Sequence, residues 1–377
     1  MKKPSFLLML LTGLFVFAVC NSCNQNDQNE IKIGAVIDAT GSLSYMGKWT
    51  QQGALLAVSN INEKGGIGGK KVALIIEDGG TDANKTVAAF QKLIDKDNVK
   101  IAIGFNSSSG LMAAAPIANS RKIVILSSGA ASPAITNAGD FIFRNRLSGK
   151  LEVEAMARFI TANHQKEIGI LYINNDYGTG YAGIFKKMYE SLGGKVLLDE
   201  GFEQNQVDFR SLVKKLKDAQ IKNIYLVAYA KEGGNLLKQS YEQNYMPNWY
   251  SANAIEDAQF ISIGGKSTDG LIYSVAKYDP TDSLALKFNN QYTDKYGYDS
   301  EMFAANAYDA LNIAAISISK TDGSGEQIKN FLYDSIKNYP GVAGITSFDK
   351  NGDVIKPVMF KTIKAGKFIL YSTKDKK

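Results

Sequence analysis

Three short stretches concentrate small hydroxyls and glycine: Ala39–Gly47 (ATGSLSYMG), Asn106–Gly110 (NSSSG) and Ser127–Pro133 (SSGAASP). That composition suits recognition rather than bond breaking. Hydroxyls and free backbone N–H groups donate hydrogen bonds to an anion or a carbonyl. The run Ser107–Ser109 also opens a helical pattern, whose N-terminus favours negative charge. A carboxylate can be held there without an arginine. Serine and glycine also make ordinary turns, but here three such loops each follow an apolar, strand-like run. Further along, Asn174–Gly178 (NNDYG), Tyr229 and Asn253–Asp257 (NAIED) hold comparable places. Tyrosines there can cover apolar parts of a small molecule while their hydroxyls orient it.

Residues that could break bonds are not assembled. The only histidine, His164, lies in a polar stretch where a helix should end, so neither a Ser-His-acid set nor a two-histidine metal site can form. Gly264-Gly265-Lys266-Ser267 resembles the end of a phosphate loop, but Phe260 occupies the position of the required first glycine. Ser-x-x-Lys occurs at Ser211/Lys214 and Ser317/Lys320, in both cases within amphipathic helical patterns. The reading is a non-enzyme with neither cofactor nor metal.

The elements that must position these loops alternate. IKIGAVID (31–38), KVALIIED (71–78), VKIAIGF (99–105) and KIVILSS (122–128) are β-branched, nearly all-apolar runs, as strands buried on both faces require. Helical patterns over 47–63, 84–95 and 110–118 separate them, with Asp82 as an N-cap for the second. A second unit repeats the design with strands at 167–174, 194–202, 223–229 and 270–276. Its helices are predicted over 150–163, 181–192, 209–218 and 233–244, with Asp208 as a cap. Such alternation specifies an α/β fold of two Rossmann-like lobes with mainly parallel sheets, whose ligands bind at the carboxyl ends of the strands. The tail breaks the rhythm: helical stretches at 283–295, 302–319 and 326–337 precede GITSFD (344–349), DVIKPVMFKTI (353–363) and KFILYS (367–372). Asn351-Gly352 predicts a hairpin between the first two of those runs. The FDKNGD stretch lacks the spacing of a calcium loop.

At the other end, Lys2 and Lys3 precede the apolar run Phe6–Val19. As a helix it would rise about 21 Å, short of a bilayer span, so it reads as a secretory signal. Cys20-Asn21-Ser22-Cys23 is similar to a bacterial lipoprotein processing site. That likeness implies cleavage after residue 22 and acylation of Cys23, with Cys20 as the alternative. Residues 23–30 read as a polar tether. No cysteine follows Cys23, so an exported chain of this size must be stabilised by its buried core rather than by disulfides. The formal net charge is +6, two of its lysines preceding Cys23, and no basic run marks a nucleic-acid surface.

The loops, in this order, resemble the branched-chain amino acid-binding proteins, the type I periplasmic binding proteins served by ABC importers. The resemblance runs over about residues 31–372. It rests on IKIGAVIDATGSLSYMG with QQGALLAVSNINEKGGIGGKKV, SSGAASPAIT, INNDYGTGYAGIF with DFRSLVKKLK, GLIYSVAKYD and FDKNGDV. It implies two lobes joined by three crossovers, residues 31–147 with 277–344 and residues 148–276 with 345–373. A hinge would close them over a small polar ligand. It further implies that the serine loop, Ser107, Ser108 and Ser109, takes the ligand's carboxylate. Gly129 and Ala131 align with the next contacts, the family's threonine being lost at Ala131 with Ser132 beside it. Tyr229 faces the ligand from lobe two, and Tyr45 and Tyr177 match pocket walls. The acid that pairs with the ligand's ammonium aligns with Asn253, and Glu256 lies three residues on. An amino acid read by Glu256, an amide, or a carboxylate without the amine all fit. The implied partners are a small-molecule ligand, an ABC importer permease, and the membrane through a lipid anchor only. The protein would be a monomer in the periplasm or cell envelope and bind no nucleic acid. Other classes share the fold: a ligand-sensing subunit for a signalling partner, or a hydrolase.

Overall fold

The computed structural model describes residues 30–372. The signal, Cys23 and most of the tether lie outside the described residues. The first unit is built from β1 (Glu30–Ile37), α1 (Ser44–Glu63), β2 (Lys71–Asp78), α2 (Ala83–Asp95), β3 (Ile101–Gly104), α3 (Ser108–Arg121), β4 (Val124–Ser127) and β5 (Ile142–Arg144). Its five strands form one parallel sheet in the order β2-β1-β3-β4-β5. Alternate residues of β1 go to opposite layers: Ile31, Ile33, Ala35 and Ile37 to one, Val36 to the other. That two-faced burial is why the strands read as continuous apolar runs.

The second unit comprises α4 (Gly149–Ala162), β6 (Glu167–Ile173), α5 (Asp176–Ser191), β7 (Lys195–Phe202), α6 (Arg210–Asp218), β8 (Asn223–Val227), α7 (Ala230–Glu242), β9 (Asn248–Ala252), α8 (Ala258–Gly264) and β10 (Ile272–Ala276). The chain then forms α9 (Ser283–Tyr296), α10 (Met302–Ser319), α11 (Gly325–Ser335), β11 (Tyr339–Gly341) and β12 (Gly344–Thr346), and finally β13 (Val358–Lys364) and β14 (Lys367–Leu370). α10 and α11 pack on the first sheet, where Ala307, Leu311, Ala314 and Ile328 share a core with β1, β3 and β4. β13 and β14 instead extend the second sheet, in the order β14-β13-β10-β9-β8-β6-β7, with antiparallel pairing only between β10 and β13 and between β13 and β14.

Three passages therefore join the units, and they lie side by side. Leu147 bridges Val354, the Arg144 amide donates to the Gly352 carbonyl at 2.8 Å, and the Lys277 amide donates to the Pro357 carbonyl at 2.7 Å.

Several predicted bounds move. The Asn351-Gly352 turn forms, with the Asp349 amide donating to the Asp353 carbonyl, but only Phe348 and Val354 bridge across it. β12 forms a hairpin with β11, and β13 forms one with β14. Phe348 and Val354 pack in the first sheet's core, so the chain crosses to the second sheet after Val354 rather than at 345. α5 starts five residues earlier than predicted because Asn175 caps it, accepting from the Tyr177 and Gly178 amides.

Candidate functional site

The carboxyl ends of β1, β3 and β4 face those of β6, β8 and β9 across a closed cleft. Four hydrogen bonds cross it near the rim. The Tyr45 hydroxyl donates to the Ala254 carbonyl, and the Asp176 amide donates to Ser109 Oγ at 3.1 Å. Ser42 Oγ donates to Asn205 Oδ1 at 3.0 Å, and Gln204 Nε2 donates to the Thr81 carbonyl at 3.3 Å. Beneath them the closed form keeps a tight cavity of about 10 Å³, room for about one water molecule. The first unit contributes Asn106, Ser108, Gly129 and Ala131 to its polar wall; Tyr177 and Tyr229 come from the second, and Arg146 from the first passage between them. Leu43, Met46 and Ala254 supply apolar surface. A wider depression beside Phe159 and Tyr250 lies at the opposite, amino-terminal ends of β9 and β10.

On the first unit's side, most side-chain oxygens already serve the backbone. Ser107 Oγ caps α3 by accepting from the Gly110 amide at 3.2 Å. Its own amide donates to Asp38, which also accepts from the Thr81 amide at 2.6 Å. Burial pushes the Asp38 carboxyl up to about 6 despite those two donors. Ser108 Oγ accepts from the Ala131 and Ser132 amides at 3.3 and 3.1 Å. With both lone pairs engaged, its proton is the part left for a ligand. Ser132 Oγ caps a 3-10 turn by accepting from the Ala134 amide, and Ser132 is not part of the cavity wall. Gly129 must be glycine, because a Cβ there would stand 2.3 Å from Asn106 Oδ1.

On the second unit's side, Tyr177 and Tyr229 stack at 5.6 Å with their planes 9° apart. Asn175 Nδ2 donates to the Tyr229 hydroxyl at 3.1 Å, leaving that hydroxyl's proton free to donate. The Tyr177 hydroxyl has no partner among the described residues, and burial raises it well above its usual range. Glu256 is directed elsewhere. It pairs with Lys361 on β13 and forms no part of the cavity wall. Ser109 acts across the cleft as a latch to α5 rather than inside the cavity.

Asn253 is fully buried, and its Oδ1 accepts from Arg146 Nη2. The same Nη2 faces Glu152 Oε1 at 3.3 Å, while Glu152 Oε2 accepts from the Tyr181 hydroxyl at 2.7 Å. Burial opposes the Arg146 charge, but Glu152 together with Tyr181 and Tyr177 outweighs it and holds the guanidinium above its ordinary range. Sequence reasoning missed Arg146, and it placed Asn106 in the serine loop without giving it a role. β5 is only three residues long, too short to register as a pattern. The available signal was Arg144 and Arg146 at alternate positions just past an apolar run.

The fold and the two-sided cleft define a type I periplasmic binding protein. A profile of the family described as periplasmic binding protein matches residues 30–367, and the chain belongs to that family. Its relatives include a leucine-, isoleucine-, valine-, threonine- and alanine-binding protein of Pseudomonas aeruginosa, 27% identical over 86% of this chain and 87% of that one. A leucine-binding protein of Thermotoga maritima superposes with a TM-score of 0.84 at 26% identity, covering 91% of this chain and 98% of its own. A substrate-binding protein of an ABC transporter from Desulfitobacterium hafniense, solved with Leu, gives 0.76 at 25% identity, covering 91% and 100%. Among the described residues no helix is long and apolar enough to cross a membrane.

Proposed function

We propose that this chain is an extracytoplasmic substrate-binding lipoprotein. It captures one small carboxylate-bearing molecule between its two units and presents the closed form to an ABC importer. The observation that carries this reading is the cavity at the carboxyl edges of both sheets, shut by hydrogen bonds that exist only when the edges meet. A ligand touching both sides binds the closed form better than the open one and so shifts the population toward it. Residues 31–147 with 277–354 and residues 148–276 with 355–372 act as the two moving bodies. Ser108, the amides opening α3, Gly129 and Ala131 hold the carboxylate, and Tyr45, Tyr177 and Tyr229 cover the remainder. The relatives named above are binding proteins, and this chain likewise binds without transforming. It acts as a monomer anchored through Cys23.

Small-angle scattering tests closure: saturating ligand should shrink the radius of gyration, and an unchanged radius overturns the clamp. Deleting the neighbouring permease genes should abolish uptake of the bound molecule; intact uptake would favour a sensor instead. Mass spectrometry of ligand incubated with excess protein should recover it unchanged, whereas conversion would establish a hydrolase. Cys23→Ser should release the protein from membranes.

A further inference from the structure

The hydrogen-bonding capacity left over in the cavity is nearly all donor. Arg146 is 2% exposed, is the only charged side chain of the cavity wall, and has no partner at Nε among the described residues. Its contact with Asn253 fixes the orientation of that amide, because a guanidinium only donates and must face Oδ1. The Asn253 Nδ2 group is thereby aimed elsewhere and is buried without a partner; Asn253 lies behind the wall, bonded to Arg146 and preceding Ala254, which both line the cavity. Asn106, whose Oδ1 accepts from Thr50 Oγ1 at 3.2 Å, likewise has an unpartnered buried Nδ2. Glu152 is engaged by Arg146 at one oxygen and Tyr181 at the other, and it is not part of the cavity wall. Glu232 Oε2 is buried without a partner, but Glu232 is not part of the cavity wall.

A ligand ammonium placed here would meet a guanidinium and amide N–H groups, with no free carboxylate. Buried charges require opposite partners, and buried donors require acceptors. We infer that Arg146 and Asn253 select a ligand whose second polar group is an acceptor, a carbonyl or a second carboxylate, in place of an α-ammonium. The protein is then a binder of small oxo-acids or dicarboxylates rather than of free amino acids. The inference rests on the carboxylate-binding reading above and adds the chemistry of the other end.

Calorimetric titration of the purified protein with three molecules of one skeleton tests it. They are leucine, 4-methyl-2-oxopentanoate and isobutylmalonate, which carry an ammonium, a carbonyl and a second carboxylate at the same carbon. At least one of the two acceptor-bearing molecules should bind at least about tenfold more tightly than leucine, the discrimination that one mismatched buried polar group supplies. Asn253→Asp places a carboxylate at that end and should move the preference toward leucine by about tenfold or more. Arg146→Gln should weaken the acceptor-bearing molecules and leave leucine unweakened. If Arg146→Gln does not fold, as judged by its melting transition, Asn253→Asp alone carries the test. Leucine binding as tightly as the better of the two acceptor-bearing molecules, or Asn253→Asp leaving the ranking unchanged, overturns the inference while the binding-protein reading stands. Failure of all three molecules to bind or to change the scattering at millimolar concentration removes both.

Discussion

Arg144 and Arg146 are two residues apart at the end of the same short run, and both are buried; their surroundings separate a structural residue from a recognition residue. Around Arg144 each of the three nitrogens has an acceptor. Nε donates to Asp353 Oδ1 at 2.6 Å, Nη1 to the Ser132 carbonyl at 2.8 Å and Nη2 to Thr136 Oγ1 at 2.9 Å. Thr136 Oγ1 in turn donates to Asp353 Oδ2 at 2.6 Å. This closed network ties the third passage to the first unit. Arg146 presses one nitrogen against Glu152 and Asn253 and has an unpartnered Nε in the cavity wall. Burying an unpaired donor destabilises a fold, so its persistence beside a cavity points to use by a ligand. Burial alone does not distinguish the two arginines; saturation of their hydrogen bonds does.

The contrast can be broken most directly at Asp353. Asp353→Ala leaves Arg144 buried without its anion and should cost about 3–5 kcal/mol of stability. Denaturant unfolding would measure it; a loss under 1 kcal/mol would put Arg144 in the same class as Arg146. Asp38 sharpens the picture of the saturated side through pH. Its folded pKa, raised to about 6 by burial, lies above the unfolded value near 4. Its contribution is therefore fully present below about pH 4 and is lost as pH rises through about 6. The stability of the wild type relative to Asp38→Asn should fall across that window by about 3 kcal/mol and level off above it. A flat difference between pH 4 and 7 would mean that Asp38 ionises normally.

Smaller effects belong to the cavity side. Gly129→Ala forces Asn106 to move and should cost about 1–3 kcal/mol. Much of that loss should fall on ligand affinity, since both residues line the cavity. Equal affinity with reduced melting temperature would assign Gly129 to the scaffold. Tyr45→Phe removes one hydrogen bond that exists only in the closed form, worth about 0.5–1.5 kcal/mol. Affinity should fall up to about tenfold while denaturant unfolding without ligand is altered much less.

Legibility followed the range of the interactions. Helix α10 (302–319) matches its predicted bounds to the residue, because a long apolar periodicity is written locally. The two parallel sheets were legible for the same reason: strands buried on both faces must be nearly all apolar. The hairpin was misplaced because Asn-Gly specifies a turn, not which strands pair beyond it. β12 found β11, and β13 found β10 and β14. Within the site, Ser107–Ser109 were visible as a loop opening a helix, yet their division of labour was not. One caps α3, one engages the next loop's amides and one latches α5. Glu256 was drawn off by Lys361, which lies 105 positions away in the chain.

By itself, the sequence determined the alternation of strands and helices and the strand edge at which small hydroxyls gather. Those are consequences of local periodicity and residue type. Only the tertiary structure decided that Arg146 stands beside Asn253, 107 positions away, and that the Asn253 oxygen is therefore taken by a guanidinium. A hydrogen bond between distant residues depends on how two sheets and a crossover are placed in space, and no local pattern encodes that placement.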